Sequence, residues 1–342
     1  MGTDRIGRVF DSFSRLEVIH EAVLQIENTS GDFRYIREYA GKGPDAPFLA
    51  ASITKMFTAT CVLALERLGT LSLDYKVVEY FDDAELAGLL VIGGEDHTDK
   101  LTVSDLLFQV SGLPDAYEEG ALKQRLLRED FHISFDGLLG EVRKLKAHSL
   151  PGASTKAHYA DINYDILGRI VEKATGRGLS EAYGRYIFGP LGLKDTYLPE
   201  GANDTVPGVY YKDKLLHRPE FVKSSRASGG CVSTANDLMA FLKAFFTGEL
   251  FGKDMLSDVS CFRSLQPSFN PIRYGGGLMQ IPLSGIYTLF LGKGELIGHC
   301  GSTGSFAFYY PLKDLYFIGD LNQMADASLA VKLVMRLAMA VK

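Results

Sequence analysis

The chain has 342 residues, of which 46% are hydrophobic and 23% are charged, so it is long enough to bury a substantial core. The 36 basic and 42 acidic residues give a formal net charge of −6, without an evident cluster of lysines and arginines. A mildly acidic chain has no long-range attraction for phosphate backbones, which disfavours a nucleic-acid partner.

The N-terminal segment, residues 1–26, carries charges throughout and has no apolar core of the kind that a secretion signal needs. No later run of apolar residues is long enough to predict a membrane span. These features favour a cytoplasmic protein, or an exported one whose signal has been removed.

Two elements are predicted near the N-terminus. Residues 18–40 have the pattern of a β-hairpin, with turn-forming residues at 28–32. A helix is predicted from about residue 52 to residue 68, with Gly69 as its C-terminal cap. Because this helix is apolar nearly all round as far as Leu65, it is expected at the centre of the protein.

The rest of the chain predicts helices first and strands later. Helices joined by loops are expected to about residue 220, one of them over 161–175. Strand patterns return at 296–311 and 314–322, and a final amphipathic helix follows from residue 325. Strands at both ends with helices between them indicate an α/β (α+β) fold. Its antiparallel sheet is built from both chain ends and flanked by helices.

A single domain is therefore expected over residues 1–342. Its α/β part would comprise about 1–70 and 225–342, and an inserted, mostly helical subdomain about 71–224. The seven histidines form no HxH or HExxH pattern, and the four cysteines form no CxxC. The sequence thus predicts neither a metal site nor a cofactor. The absence of short motifs does not exclude a metal site whose ligands are distant in sequence.

The strongest chemical signal is the pair Ser52 and Lys55. Residues three apart on a helix lie on the same face, so the two side chains are expected to meet. A serine hydroxyl becomes a good nucleophile only when another group accepts its proton, and a partly desolvated lysine can do so. The alternative is a serine that caps the helix beside a lysine whose ammonium reaches solvent.

Tyr159 and Asp161 form a second element, just before a predicted helix. A core tyrosine and a helix-capping aspartate would explain them structurally. The functional interpretation makes Tyr159 a proton shuttle and Asp161 an anchor for the Lys55 ammonium.

A third element, GHCGSTGSF, carries His299, Gly301 and Ser302. Glycine allows a close approach of another backbone or of a substrate, and the backbone N–H of Ser302 could point into a site. The structural alternative is a strand end followed by a glycine-rich turn.

Together these segments resemble the class C β-lactamase and penicillin-binding-protein group of serine hydrolases. This group includes D-alanyl-D-alanine carboxypeptidases, D-aminopeptidases and family VIII carboxylesterases. The family's S-x-x-K matches Ser52–Lys55, its Y-x-N matches Tyr159–Asp161 with Asp in place of Asn, and its K-T-G or H-x-G matches His299–Gly301. The likeness extends over roughly residues 18–342, with the motifs in family order, and implies a β-lactamase/transpeptidase-like fold.

The resemblance implies a mechanism through an acyl-enzyme on Ser52. Lys55 and Tyr159 would share the proton transfer, and the backbone N–H groups of Ser52 and Ser302 would bind the oxyanion. His299 would flank the site and support Tyr159 or a substrate carboxylate. Gln109 lies in a loop that resembles the family's pocket wall and is a candidate substrate contact.

Two departures from the family pattern bear on the substrate. An ionised Asp161 cannot donate a hydrogen bond to an acyl-amide carbonyl as the family's Asn does, and it would hold Lys55 charged. Tyr159 is then the better candidate base. Second, a neutral imidazole at His299 binds a substrate carboxylate less firmly than the lysine of class C β-lactamases.

These departures predict a serine hydrolase of small carboxylic esters with weak or no β-lactamase activity. The alternatives are a β-lactamase, a D-alanyl-D-alanine carboxypeptidase or D-aminopeptidase, and a non-catalytic penicillin-binding or scaffold protein. The expected partner is a small ester, β-lactam or peptide-like molecule, and the sequence does not give the oligomeric state.

Overall fold

A computed structural model describes residues 3–82 and 84–341 of the chain. Its α-helices are α1 (Thr3–Ser14), α2 (Thr54–Arg67), α3 (Val103–Leu107), α4 (Leu122–Arg128), α5 (Phe135–Arg143), α6 (Asp161–Thr175), α7 (Leu179–Tyr183), α8 (Gly189–Leu191), α9 (Pro219–Ser224), α10 (Arg226–Gly229), α11 (Ala235–Thr247), α12 (Lys253–Val259) and α13 (Ser328–Ala340). Its strands are β1 (Ala22–Glu27), β2 (Arg34–Tyr39), β3 (Phe48–Leu49), β4 (Val91–Ile92), β5 (Glu95–Asp96), β6 (Val209–Tyr211), β7 (Lys214–Leu216), β8 (Val232–Ser233), β9 (Arg263–Ser264), β10 (Arg273–Tyr274), β11 (Met279–Pro282), β12 (Glu295–Cys300), β13 (Ser305–Tyr310) and β14 (Leu315–Asp320).

The main sheet has eight strands in the order β2-β1-β14-β13-β12-β11-β10-β9, and each neighbouring pair is antiparallel. The predicted hairpin is β1–β2, in which Leu24 lies opposite Arg37, and Leu24 also faces Gly319 of β14. Strand β1 therefore has neighbours on both sides, and its residues 22–26 are buried. The prediction of an antiparallel sheet built from both chain ends is confirmed.

Helices α11 and α13 pack against this sheet. Helix α2 contacts α6 and α10, and its residues from Thr54 to Leu65 are all buried. Its position at the centre of the protein explains why the segment is apolar nearly all round.

Helix α1 is not among the predicted elements. It buries Ile6, Phe10 and Phe13 and packs against α13, so the two ends of the chain lie together. The spacing of these three residues places them on one helical face, which stabilises the helix by burying apolar surface.

The segment between residues 71 and 224 contains α3 to α9 and two small hairpins, β4–β5 and β6–β7. Its division from the rest of the chain at about residues 70 and 225 stays a prediction. None of the helices in the described part of the chain is long and apolar enough to span a membrane.

Candidate active site

Ser52 lies on a 3-10 turn, Ala51–Ile53, immediately before α2, so the α-helix begins two residues later than the predicted start. Backbone hydrogen bonding between Ala50 and Cys231 fixes this turn, with the Ala50 N–H 2.9 Å from the Cys231 carbonyl oxygen. Ala51 has a φ of 45°, in the left-handed region that L-residues other than glycine rarely adopt. A strained residue directly before the candidate nucleophile is typical of functional sites.

Lys55 is completely buried, and its ammonium has three oxygen partners. Its Nζ donates to Ser52 Oγ at 3.2 Å, to Asp161 Oδ1 at 2.6 Å and to the Ser228 carbonyl oxygen at 2.7 Å. These contacts use all three donors of the ammonium, and Asp161 supplies the counter-charge that a buried cation requires. The structure thus brings Ser52, Lys55 and Asp161 together, and it adds Ser228, which was not predicted.

Tyr159 lies beside this cluster, with Lys55 Nζ 4.9 Å from the centre of its ring. Its buried hydroxyl has no hydrogen bond of acceptable geometry to the described residues, although the nearby Ser52 hydroxyl acts to lower its pKa. Burial and then the negative charge of Asp161 outweigh that effect and raise the pKa of Tyr159 well above its ordinary value. The resting phenol therefore keeps its proton, and removing that proton for base catalysis is costly. The role of Tyr159 as the base stays a prediction.

Asp161 is the first residue of α6, and its backbone N–H is hydrogen-bonded to the side chain of Asp115. Asp115 Oδ2 accepts the Asp161 backbone N–H at 2.8 Å, while its Oδ1 accepts the N–H groups of Tyr117 and Glu118. Burial and the charge of Asp161 raise the pKa of Asp115 to about 7. Asp115 is therefore a positioning residue that joins the Tyr117 loop to the start of α6.

His299 is fully buried in β12, and its ring centre is 6.1 Å from that of Tyr159. Its Nδ1 is 2.8 Å from the Cys300 carbonyl oxygen, which can only accept, so we assign the proton to Nδ1. Burial, and then the positive charge of Lys55, lower the pKa of His299 to about 3. The imidazole is thus neutral and offers no positive charge to a substrate carboxylate.

The low pKa of His299 predicts a specific loss of stability in acid. Unfolding returns the pKa to about 6.5, so the unfolded state binds one proton that the folded state does not, and stability falls as the pH drops below that value. Between pH 7 and pH 5 this group should cost about 2 kcal/mol of unfolding free energy. His299→Asn keeps a donor for the Cys300 carbonyl and should remove that cost. Urea titrations of both proteins at several pH values measure it, and parallel curves would contradict the prediction.

Gly301 and Ser302 follow β12. A Cβ atom at Gly301 would lie 2.3 Å from Ser305 Oγ and 2.8 Å from the Ala51 Cβ. Glycine is therefore required so that the end of β12 can pack against the turn that carries Ser52. In the described residues the Ser302 N–H has no backbone partner, which leaves it free to bind an oxyanion.

A cavity of about 80 Å³ contains the candidate nucleophile. Ser52, Asp161 and Ser302 are among its polar lining residues. Much of its wall is apolar and is formed by Leu49, Leu126, Val209, Leu216, Phe221 and Met324. A larger cavity of about 710 Å³ has Asp165 among its lining residues but not Ser52. We assign the chemistry to the smaller cavity because it holds the nucleophile.

Gln109 does not line the smaller cavity, which departs from its predicted role as a substrate contact. It is completely buried and has a φ of 58°. Its Oε1 accepts the Ala160 N–H at 3.0 Å and also bonds the Asn163 side chain. We therefore propose that Gln109 positions the Tyr159–Asp161 segment.

Comparisons with known proteins identify the family and the fold. A family model described as Beta-lactamase matches residues 31–339. Over 154 residues, 44% of this chain and 38% of the relative, the sequence is 32% identical to esterase EstB of Burkholderia gladioli. It is 26% identical over 306 residues to a putative D-alanyl-D-alanine carboxypeptidase of Salmonella agona (strain SL483), covering 78% of this chain and 67% of the relative.

The fold of the chain is similar to that of solved structures. The crystal structure of D-amino acid amidase from Ochrobactrum anthropi SV3 complexed with L-phenylalanine amide superposes with a TM-score of 0.81. The superposition covers 99% of this chain and 98% of that one at 22% identity, which supports the fold alone. Since the family model matches most of the sequence, the chain belongs to the beta-lactamase family.

Proposed function

We propose that this protein is a serine hydrolase that acts on small carboxylic esters through an acyl-enzyme on Ser52. The observation that carries the proposal is the buried Lys55 ammonium, which bonds Ser52 Oγ on one side and the Asp161 carboxylate on the other. A scaffold protein has no need of a buried lysine in contact with a serine hydroxyl. The similarity to an esterase supports the same conclusion.

In the proposed reaction, the Lys55–Tyr159 pair first loses one proton to solvent. Ser52 Oγ then attacks the ester carbonyl carbon, and its proton passes to the deprotonated member of the pair. The carbonyl oxygen becomes an oxyanion, which accepts hydrogen bonds from the backbone N–H groups of Ser52 and Ser302. Collapse of this intermediate breaks the bond to the alkoxide, which leaves with the proton. A water molecule then attacks the acyl-enzyme by the same route and releases the acid.

The proposed preference for esters rests on Asp161 and on the wall of the cavity. Because Asp161 is paired with Lys55, its carboxylate accepts hydrogen bonds and cannot donate one to an acyl amide. The small, mostly apolar cavity suits a short acyl chain without charged groups. The absence of a positive charge on His299 removes one means of binding a carboxylate such as that of a β-lactam.

A substrate panel tests this proposal. Purified protein should hydrolyse p-nitrophenyl acetate and butyrate with a kcat/KM at least about tenfold above that for nitrocefin, a difference of about 1.4 kcal/mol. The same panel with Ser52→Ala measures the background. Faster turnover of nitrocefin than of the esters would reverse the proposed preference, and no turnover of any substrate would favour the non-catalytic alternative.

Hydrolysis of D-amino acid amides or peptides is the second candidate function. One observation favours it: the Asp161 side chain is 32% exposed and lines the cavity, so its carboxylate could bind the α-ammonium group of an amino acid derivative. The structural similarity to a D-amino acid amidase gives a reason to test it. D-alanine p-nitroanilide belongs in the panel, and its turnover above that of the esters would promote this function.

Asp161→Asn should change the preference between amides and esters. The variant restores a side-chain N–H at the cavity, and one further hydrogen bond to an acyl amide contributes about 1 kcal/mol. We therefore expect the ratio of kcat/KM for nitrocefin to that for p-nitrophenyl acetate to rise about fivefold to tenfold. This ratio is independent of how much of the variant is folded. An unchanged or lower ratio would show that Asp161 does not limit amide recognition.

A further inference from the structure

Glu119, His148 and His158 form a cluster outside the proposed catalytic machinery. His148 Nε2 lies 2.8 Å from Glu119 Oε2, and His158 Nε2 lies 2.8 Å from Glu119 Oε1. The two imidazole rings are stacked with their centres 3.7 Å apart. One ligand atom from each of the three residues lies within 4.8 Å of the other two.

We propose that Glu119, His148 and His158 bind a divalent transition metal of the Zn²⁺ type. Two imidazole nitrogens and a carboxylate are a common set of three protein ligands for zinc. Zn–N and Zn–O bonds of about 2.1 Å in a tetrahedron place ligand atoms about 3.4 Å apart. The two N–O separations of 2.8 Å, each to a different oxygen of Glu119, would open by about 0.6 Å around an ion that both oxygens bind.

Both imidazoles can be neutral in this cluster. With its proton on Nε2, each ring donates a hydrogen bond to Glu119. With its proton on Nδ1, each ring presents the Nε2 lone pair beside the carboxylate, and an ion can then take the place of the two Nε2 protons. The exposed fractions of the Glu119, His148 and His158 side chains are 33%, 37% and 20%, so an ion can reach them from solvent.

The backbone around the cluster is already ordered. The N–H of His148 donates to the Gly112 carbonyl and the N–H of His158 to the Gln109 carbonyl, both at 2.8 Å. Glu119 Oε1 also accepts the Asp115 N–H at 2.9 Å. A metal ion would thus join the loop that holds Asp115 to the residue directly before Tyr159. We infer that it stabilises the wall of the catalytic cavity.

Calorimetric titration of the whole protein with Zn²⁺, after treatment with a chelator, tests this assignment. We expect one ion per chain, and a rise in the melting temperature with added Zn²⁺. The double variant His148→Ala/His158→Ala should lose at least about 100-fold in affinity, since two ligands are removed. Glu119→Gln keeps an acceptor for the Asp115 N–H and should still weaken binding by at least about tenfold.

The matched control is His132→Ala, which removes an exposed histidine that bonds Ser224 and lies outside the cluster. It should bind Zn²⁺ as the wild type does. Equal binding by the wild type and the double variant, or equal loss in His132→Ala, would overturn the assignment. These readouts do not depend on hydrolysis, so the metal site and the proposed activity can fail separately.

Discussion

We expect Ser52→Ala to lower kcat/KM for p-nitrophenyl butyrate by at least about 10⁴-fold, because it removes the oxygen that is proposed to form the acyl-enzyme. The residual activity would come from binding and from the oxyanion donors. Lys55 keeps Asp161 and the Ser228 carbonyl as partners, so the variant should remain folded. Initial rates and circular dichroism on the same preparations measure both effects.

Ser302→Ala is the matched control for that variant. It also removes a serine hydroxyl from the wall of the cavity but keeps the backbone N–H that is proposed to bind the oxyanion. Its kcat/KM should stay within about tenfold of the wild type, since the loss of a whole oxyanion donor typically costs about 10²-fold or more. Similar activities in the Ser52→Ala and Ser302→Ala variants would contradict the assignment of the nucleophile.

Tyr159→Phe should lower kcat/KM by about 10²- to 10⁴-fold with little change in stability. The variant removes the hydroxyl that is proposed to transfer a proton, and that hydroxyl has no well-formed hydrogen bond in the described structure. The phenylalanine ring keeps the stacking against Phe269, whose ring centre is 5.4 Å away. The unfolding free energy should therefore stay within about 1 kcal/mol of the wild type, as urea denaturation can measure.

Tyr164→Phe should have the opposite pattern of effects. The Tyr164 hydroxyl donates to the Leu107 carbonyl at 2.9 Å and does not line the catalytic cavity. Its loss leaves a buried carbonyl without that partner and should cost about 1 to 2 kcal/mol of stability, while kcat/KM changes little. If Tyr159→Phe retained full activity, Tyr159 would have no part in proton transfer.

The sheet and the central helix could be predicted because their signals are local. The turn residues between β1 and β2 and the apolar run after Ser52 each specify one element. Helix α1 is not among the predicted elements, although the helical spacing of Ile6, Phe10 and Phe13 with polar residues between them is a signal that indicates it. The 3-10 turn at Ser52 was not predicted either, since it depends on contacts with the distant Cys231.

The site could be predicted only as far as its motifs extend. Lys55 and Asp161 are 106 residues apart, and their meeting was predicted from the functional interpretation of the two motifs, which the resemblance to a family then supported. Ser228 contributes a backbone carbonyl, which every residue has, so no residue type marks it. The fold gives Gln109 a left-handed backbone conformation and buries its side chain, and neither property can be predicted from the sequence.

The cluster of Glu119, His148 and His158 was not predicted for a similar reason. Glu119 precedes His148 by 29 residues and His158 by 39, a spacing that matches no short metal motif. Only the folding of the loops brings these side chains to one place. The sequence-based expectation of no metal site rested on short motifs and did not extend to such ligands.

The most direct measurement of the central claim is mass spectrometry after labelling with a fluorophosphonate, which reacts with activated serine hydroxyls. The account predicts one adduct per chain, on the proteolytic peptide that contains Ser52, and no adduct in Ser52→Ala. An unlabelled wild-type protein that still hydrolyses esters, or an adduct on another residue that persists in Ser52→Ala, would contradict it.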